Sequence, residues 1–122
     1  MITLKIPREI ISGNILAYGH WRNRTKDRND WESRIRVALA LTSPLQSTIP
    51  CETHRTVHIY SMRHGILDDD NLSAGSKHLR DSLTRLGLIR DDNKKWATFH
   101  YTQERIPRSE YCYTIITIEE PK

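Results

Sequence analysis

Asp68, Asp69 and Asp70 are consecutive, Asn71 follows them, and Asp91-Asp92 stand beyond a leucine-bearing stretch. Carboxylates crowded in this way repel one another unless a positive charge sits between them. If residues 66–70 are extended, Asp68 and Asp70 project to one side, because side chains alternate along a strand. A helix of about three turns, ~16 Å long, then separates the two acidic groups, and a return segment brings Asp92 back to the pair. Three carboxylates meeting at one point form an oxygen-rich site suited to Mg²⁺ or Mn²⁺. Such an ion serves in-line displacement at a phosphodiester. Lys77, near the start of the intervening helix, is placed to meet the phosphate. Asp81 lies at i+4 from Lys77, the spacing at which it pairs with that lysine or holds it in place.

Charge is distributed unevenly around this focus. From Asp68 to Asp92 six aspartates stand against Lys77, Arg80, Arg85 and Arg90, a local balance of −2, within a chain of net charge +4. The rest of the molecule is therefore basic, as expected of a protein that holds phosphates broadly and a cation locally. Arg22, Arg24, Lys26 and Arg28 recur at every second position of an apparent loop, a density suited to phosphate contacts. Other acidic motifs fit less well. An EF-hand loop starting at Asp69 needs Gly and Glu where the chain has Ala74 and Arg80. Asp92-Asn93-Lys94 also fits the D-x-K of restriction-type nucleases, which changes the acting lysine and not the reaction class. Cys51, His54 and His58 make a fragment of a zinc site without an evident fourth ligand.

The elements that must position these residues follow from periodicity. At 122 residues the chain suits a single domain, residues 1–122, and three Trp and five Tyr supply bulk for a core. Mean hydropathy is −0.64, and no run approaches the ~20 apolar residues of a membrane span. The N-terminus lacks a signal-peptide pattern, and two cysteines do not make a secreted disulfide framework. The expected location is cytoplasmic. Residues 2–6 and 55–62 alternate as strands, and two late strands are expected at residues 95–104 and 111–119. Residues 8–26 read as irregular. A helix is expected from about Asn29, capped by Asn29 or Asp30, to the stop at Ser43-Pro44. A second helix is expected over residues 76–86, capped by Ser76 or Ser73 and ended by Gly87. The expected fold is α+β in the order β-α-β-α-β-β, a mixed sheet with two helices mainly on one face.

Residues 63–92 combine Arg63, LDDDNL (67–72), Gly75, Lys77, LRD (79–81), Leu83, Leu86-Gly87, Ile89 and Asp91-Asp92. This compound pattern resembles the RusA-like family of Holliday junction resolvases, small endonucleases of bacteria, prophages and phages. Asn14 and the stretch from His20-Trp21-Arg22 to Trp31 also look like that family's N-terminal region. The resemblance implies a RusA-like fold and a homodimeric, Mg²⁺-dependent nuclease that nicks opposed strands of a four-way DNA junction. It would act in the cytoplasm of a bacterial or phage-infected cell. Carried over by residue, Asp70 and Asp92 are metal ligands, Asp68 is the third acid and Asp91 the weaker partner of Asp92. Lys77 matches the family's essential lysine, and Asn71 helps fix the loop. Arg22, Arg24, Lys26, Arg28 and Lys77 are the expected DNA contacts. The alternative of a different class is a non-catalytic module that recognises branched DNA.

Overall fold

Ile2, Leu4 and Ile6 alternate with Thr3 and Lys5, and this pattern forms β1 (Ile2–Ile6) with its apolar set buried. The structure is a computed structural model that describes residues 1–19, 21–42 and 52–119. Strands β2 (Arg55–Arg63), β3 (Ala97–Arg105) and β4 (Tyr113–Glu119) complete one sheet in the order β1-β4-β2-β3. β4 is antiparallel to both β1 and β2, whereas β2 and β3 run parallel with Arg55 opposite Ala97. The two late strands are therefore consecutive in the chain but not paired, since β2 lies between them. Val57, Ile59, Ile116 and Ile118 face the core, and every second residue on these strands is more exposed, so one face of the sheet carries the core.

The helical part is richer than the two helices expected. Residues 8–26 are not irregular: α1 (Gly13–Tyr18) lies within them and α2 (Trp21–Thr42) begins there. Asn29 and Asp30 are interior residues of α2 and cap nothing. Trp31 and Ile35 are its fully buried residues, with Ala38 and Leu39 packed against the same cluster. The second expected helix, over residues 76–86, is α4 (Lys77–Arg85), and a further helix, α3 (Asp69–Gly75), precedes it across Ser76. Ser76 is not a side-chain cap, because its hydroxyl donates to the Leu72 carbonyl at 2.8 Å. The order among the described residues is thus β-α-α-β-α-α-β-β.

Gly87 does end α4 as its sequence position implies. Its φ is 75°, its N–H donates to the Thr84 carbonyl, and the Leu88 N–H reaches back to Leu83. This is a Schellman cap, in which a glycine adopts the left-handed conformation at little steric cost. Gly75 has a different role. A Cβ there would collide with the carbonyl oxygen of Ile11, and one at Gly13 would collide with Ala74. The segment before α1 therefore lies directly on α3 only because both positions lack a side chain. Gly75→Ala is expected to lower stability by about 1–3 kcal/mol, the scale of overpacking. Urea unfolding should show a lower midpoint with an unchanged slope.

No helix among the described residues is long and apolar enough to cross a membrane. His20, in the stretch that resembles the family's N-terminal region, and Cys51, of the zinc-site fragment, lie outside the described residues.

Candidate functional site

The loop that leaves β2 is clamped before it reaches the acids. Gln103 on β3 accepts from the Leu67 N–H at 2.9 Å and donates to the Leu67 carbonyl at 2.8 Å. Arg63, at the end of β2 and buried, donates to the carbonyls of Gly65 and Ile10. Sequence reasoning missed Gln103, because nothing local marks a strand glutamine as a clamp for a loop 36 residues away.

Asp68 is the N-cap of α3, and Asp69 and Asp70 lie in its first turn. The expectation of an extended Asp68–Asp70 segment is thereby corrected. On a helix, residues two apart do not share a side. Both carboxylate oxygens of Asp68 are occupied by Asn71, one by its backbone N–H at 2.8 Å and the other by Nδ2 at 3.2 Å. The Oδ1 of Asn71 accepts from the Asn14 N–H at 3.0 Å, which ties this turn to α1. A helix N-terminus favours nearby negative charge, so the backbone itself meets part of the repulsion among the three acids. Asp70 is exposed and makes no hydrogen bond or ion pair among the described residues.

Asp91 and Asp92 lie elsewhere. The Arg55 guanidinium donates to the Leu88 carbonyl at 2.6 Å, and Arg90 pairs with Glu52 at 2.7 Å. His54 lies between the Lys95 carbonyl and the Thr98 hydroxyl, at 3.1 and 2.8 Å. These contacts hold residues 88–95 beside the start of β2, whereas Asp68 follows its end. Parallel pairing of β2 with β3 requires this, since the intervening helices must carry the chain back to the beginning of the strand. Arg55 to Ser61, opposite Gln103, already spans about 20 Å at ~3.3 Å per residue. The predicted meeting of Asp92 with Asp68 and Asp70 therefore does not occur within the chain. Asp91 caps its own turn, accepting from the Asp92 N–H at 2.8 Å and from Asn93 Nδ2 at 3.2 Å. Asp92 is exposed and, like Asp70, has no such partner among the described residues.

Among the described residues no three His, Cys, Asp or Glu side chains come together as a group able to hold a metal ion. With Asp68 and Asp91 engaged as caps and Asp70 remote from Asp92, the described acids of the chain do not converge on a Mg²⁺ centre.

Lys77 opens α4 and is exposed, with no ion pair among the described residues; the expected pairing with Asp81 is not formed. Arg22, Arg24, Lys26 and Arg28 lie on α2 and not in a loop. At 3.6 residues per turn their two-residue spacing divides them between two faces, Arg22 with Lys26 and Arg24 with Arg28. Arg24 donates to the Leu16 carbonyl at 3.3 Å. His64 meets the Glu110 carbonyl at 2.7 Å, and His58, of the zinc-site fragment, stacks on His100 and Tyr60. Phe99 and Tyr101 pack on the core, and Arg80 donates to the Tyr101 hydroxyl at 2.7 Å. Cys112 is only partly buried. A groove of about 480 Å³ runs along the second half of α2 and is lined by Lys5, Pro7, Arg34, Val37 and Leu41, with none of these acids among its described lining residues.

No family model matches this chain, and no curated protein is similar to it at a significant level.

Proposed function

We propose that this protein is a RusA-like, structure-specific endodeoxyribonuclease that resolves four-way DNA junctions by paired nicks during recombination and repair. The observation that carries this reading is the division of labour among the acids. Asp68 and Asp91 are spent on holding their turns, whereas Asp69, Asp70 and Asp92 are exposed and uncommitted on clamped backbone, and of these Asp70 and Asp92 are the ligands that the resemblance implies. Their separation makes the reading specific about assembly. Asp70 and Asp92 meet only if a second copy is turned so that the partner subunit's Asp92 approaches Asp70, and the reverse. A two-fold dimer of this kind has two equivalent sites, one for each opposed strand, and Mg²⁺ belongs at that subunit boundary. Lys77 supplies positive charge for the phosphate, and the basic half of α2 supplies backbone contacts that carry affinity without sequence preference. The setting is the cytoplasm of a bacterial or phage-infected cell.

A second reading, a non-catalytic module that binds branched DNA, draws support from the lack of convergence within one protomer. One assay separates the two. An end-labelled four-way junction and a linear duplex of the same arm sequence are incubated with the protein in Mg²⁺, Ca²⁺ or EDTA and run on denaturing gels. Symmetric, Mg²⁺-dependent nicks in the junction alone are the expected result. Tight junction binding with no nicks in any condition would establish the recognition module instead.

A further inference from the structure

Asp27 is a buried carboxylate in the basic half of α2, and two elements converge on it. Arg8, from the segment after β1, pairs with one oxygen at 2.7 Å, and His78 Nδ1 meets the other at 2.8 Å. A carboxylate accepts, so Nδ1 carries the proton and the ring is oriented by Asp27. Nε2 is then the ring nitrogen without a protein partner among the described residues. His78 lines a cavity of about 280 Å³, to which Arg24 and Lys77 also contribute, with Gly13, Ala17 and Ala74 forming small-residue walls. Among the described residues its polar lining is Arg24, Lys77 and His78, with no carboxylate. Its volume falls just below the ~300–1,000 Å³ of sites that enclose a drug-sized ligand, a size suited to a phosphate group and its ester oxygens. Ala74 stands one turn after Asp70 on α3, about 6 Å along the axis at ~1.5 Å per residue.

We propose that this cavity is a phosphate-binding subsite, in which Arg24, Lys77 and His78 hold the DNA backbone phosphate next to the one at Asp70. The inference rests on the nuclease reading for the identity of the strand, though not for the affinity for phosphate. Asp27 is a positioning residue. By holding Nδ1 it leaves Nε2 as the ring nitrogen that faces the ligand, and contact with a phosphodiester oxygen, which only accepts, requires that Nε2 carry a proton as well. The charged groups facing that ring among the described residues are Asp27 and Arg24 from α2, Arg8 from the segment after β1, through Asp27, and Lys77 from α4. The linings contributed by α1 and α3 carry no charge. A phosphate entering beside Lys77 and Arg24 therefore supplies the negative charge that the imidazolium needs.

The test follows the ring resonances of His78 in the full-length protein by NMR, with assignment from the signal missing in His78→Gln. Inorganic phosphate is titrated first and a four-way junction second. The expected result is a saturable His78 shift with phosphate, with Nε2 moving to its protonated position, and the same shift at much lower junction concentration. Lys77→Gln and Arg24→Gln, both at exposed positions, should each weaken the phosphate effect about tenfold, as for loss of one charge-assisted hydrogen bond. No His78 shift with either probe overturns the proposal, as does a phosphate shift indifferent to both variants. A phosphate shift that junction DNA does not reproduce overturns the assignment to a DNA strand. His78 shifts with both probes in a protein that never nicks DNA leave the subsite standing and remove the nuclease.

Discussion

Asp70→Asn and Asp92→Asn are each expected to abolish junction cleavage while leaving junction binding intact, yet to restore it when mixed. Each substitution removes one uncommitted carboxylate from the surface, and a loss of about a hundredfold or more is the scale of one essential catalytic group. Neither side chain makes a hydrogen bond or ion pair among the described residues, so folding should not be affected. Removing negative charge beside a bound phosphate should leave affinity unchanged or raise it. Mixing is the sharper part. If each site combines Asp70 of one subunit with Asp92 of the other, a heterodimer of the two variants has one doubly damaged site and one intact site. Random exchange makes about half of the dimers mixed, so about a quarter of wild-type sites should return. If both acids acted within one chain, every subunit in the mixture would be damaged and no activity would return. Cleavage by the single variants at the wild-type rate would remove these residues from the site altogether.

The placement of these acids also shows which features were legible in the sequence. β1 and β2 could be read because their buried residues alternate, and Gly87 because a glycine after a leucine-periodic run has one obvious use. The first half of α2 escaped detection for a physical reason. Its inward contacts are made by Asp27, a polar residue that no hydrophobic periodicity registers, and the apolar pattern starts only at Trp31. The α3 start was legible in principle, since Asp68 before a helical run is an ordinary N-cap. Three carboxylates in a row drew attention to charge and away from capping. The position of Asp92 could not be read locally at all. It depends on β3 entering the sheet parallel to β2, a long-range choice that leaves the DD pair at the far end of the strand.

Arg8→Ala is expected to cost about 3–5 kcal/mol of stability, the scale for removing one partner of a buried ion pair. The Asp27 side chain is 1% exposed and that of Arg8 11%, so the carboxylate left behind has little access to water. Its remaining partner would be His78, and screening by solvent would be slight. Arg8 also lies over the Trp31 ring, 4.0 Å from its centroid, and pairs with Asp30 at 3.0 Å. One side chain thus ties the segment after β1 to three positions on α2. The loss comes mainly from stranding Asp27 and not from the attraction itself, because a buried pair repays little beyond its own desolvation. That distinction has a measurable consequence. In Arg8→Met combined with Asp27→Leu, both charges are replaced by apolar groups, and urea unfolding should recover most of the stability lost in Arg8→Ala. A double variant as unstable as the single would show that the attraction, and with it the tether to α2, supplies the stability. The double variant also frees the ring of His78 from its orienting carboxylate. Recovered stability together with weakened phosphate binding would therefore separate what Asp27 does for the fold from what it does for the cavity.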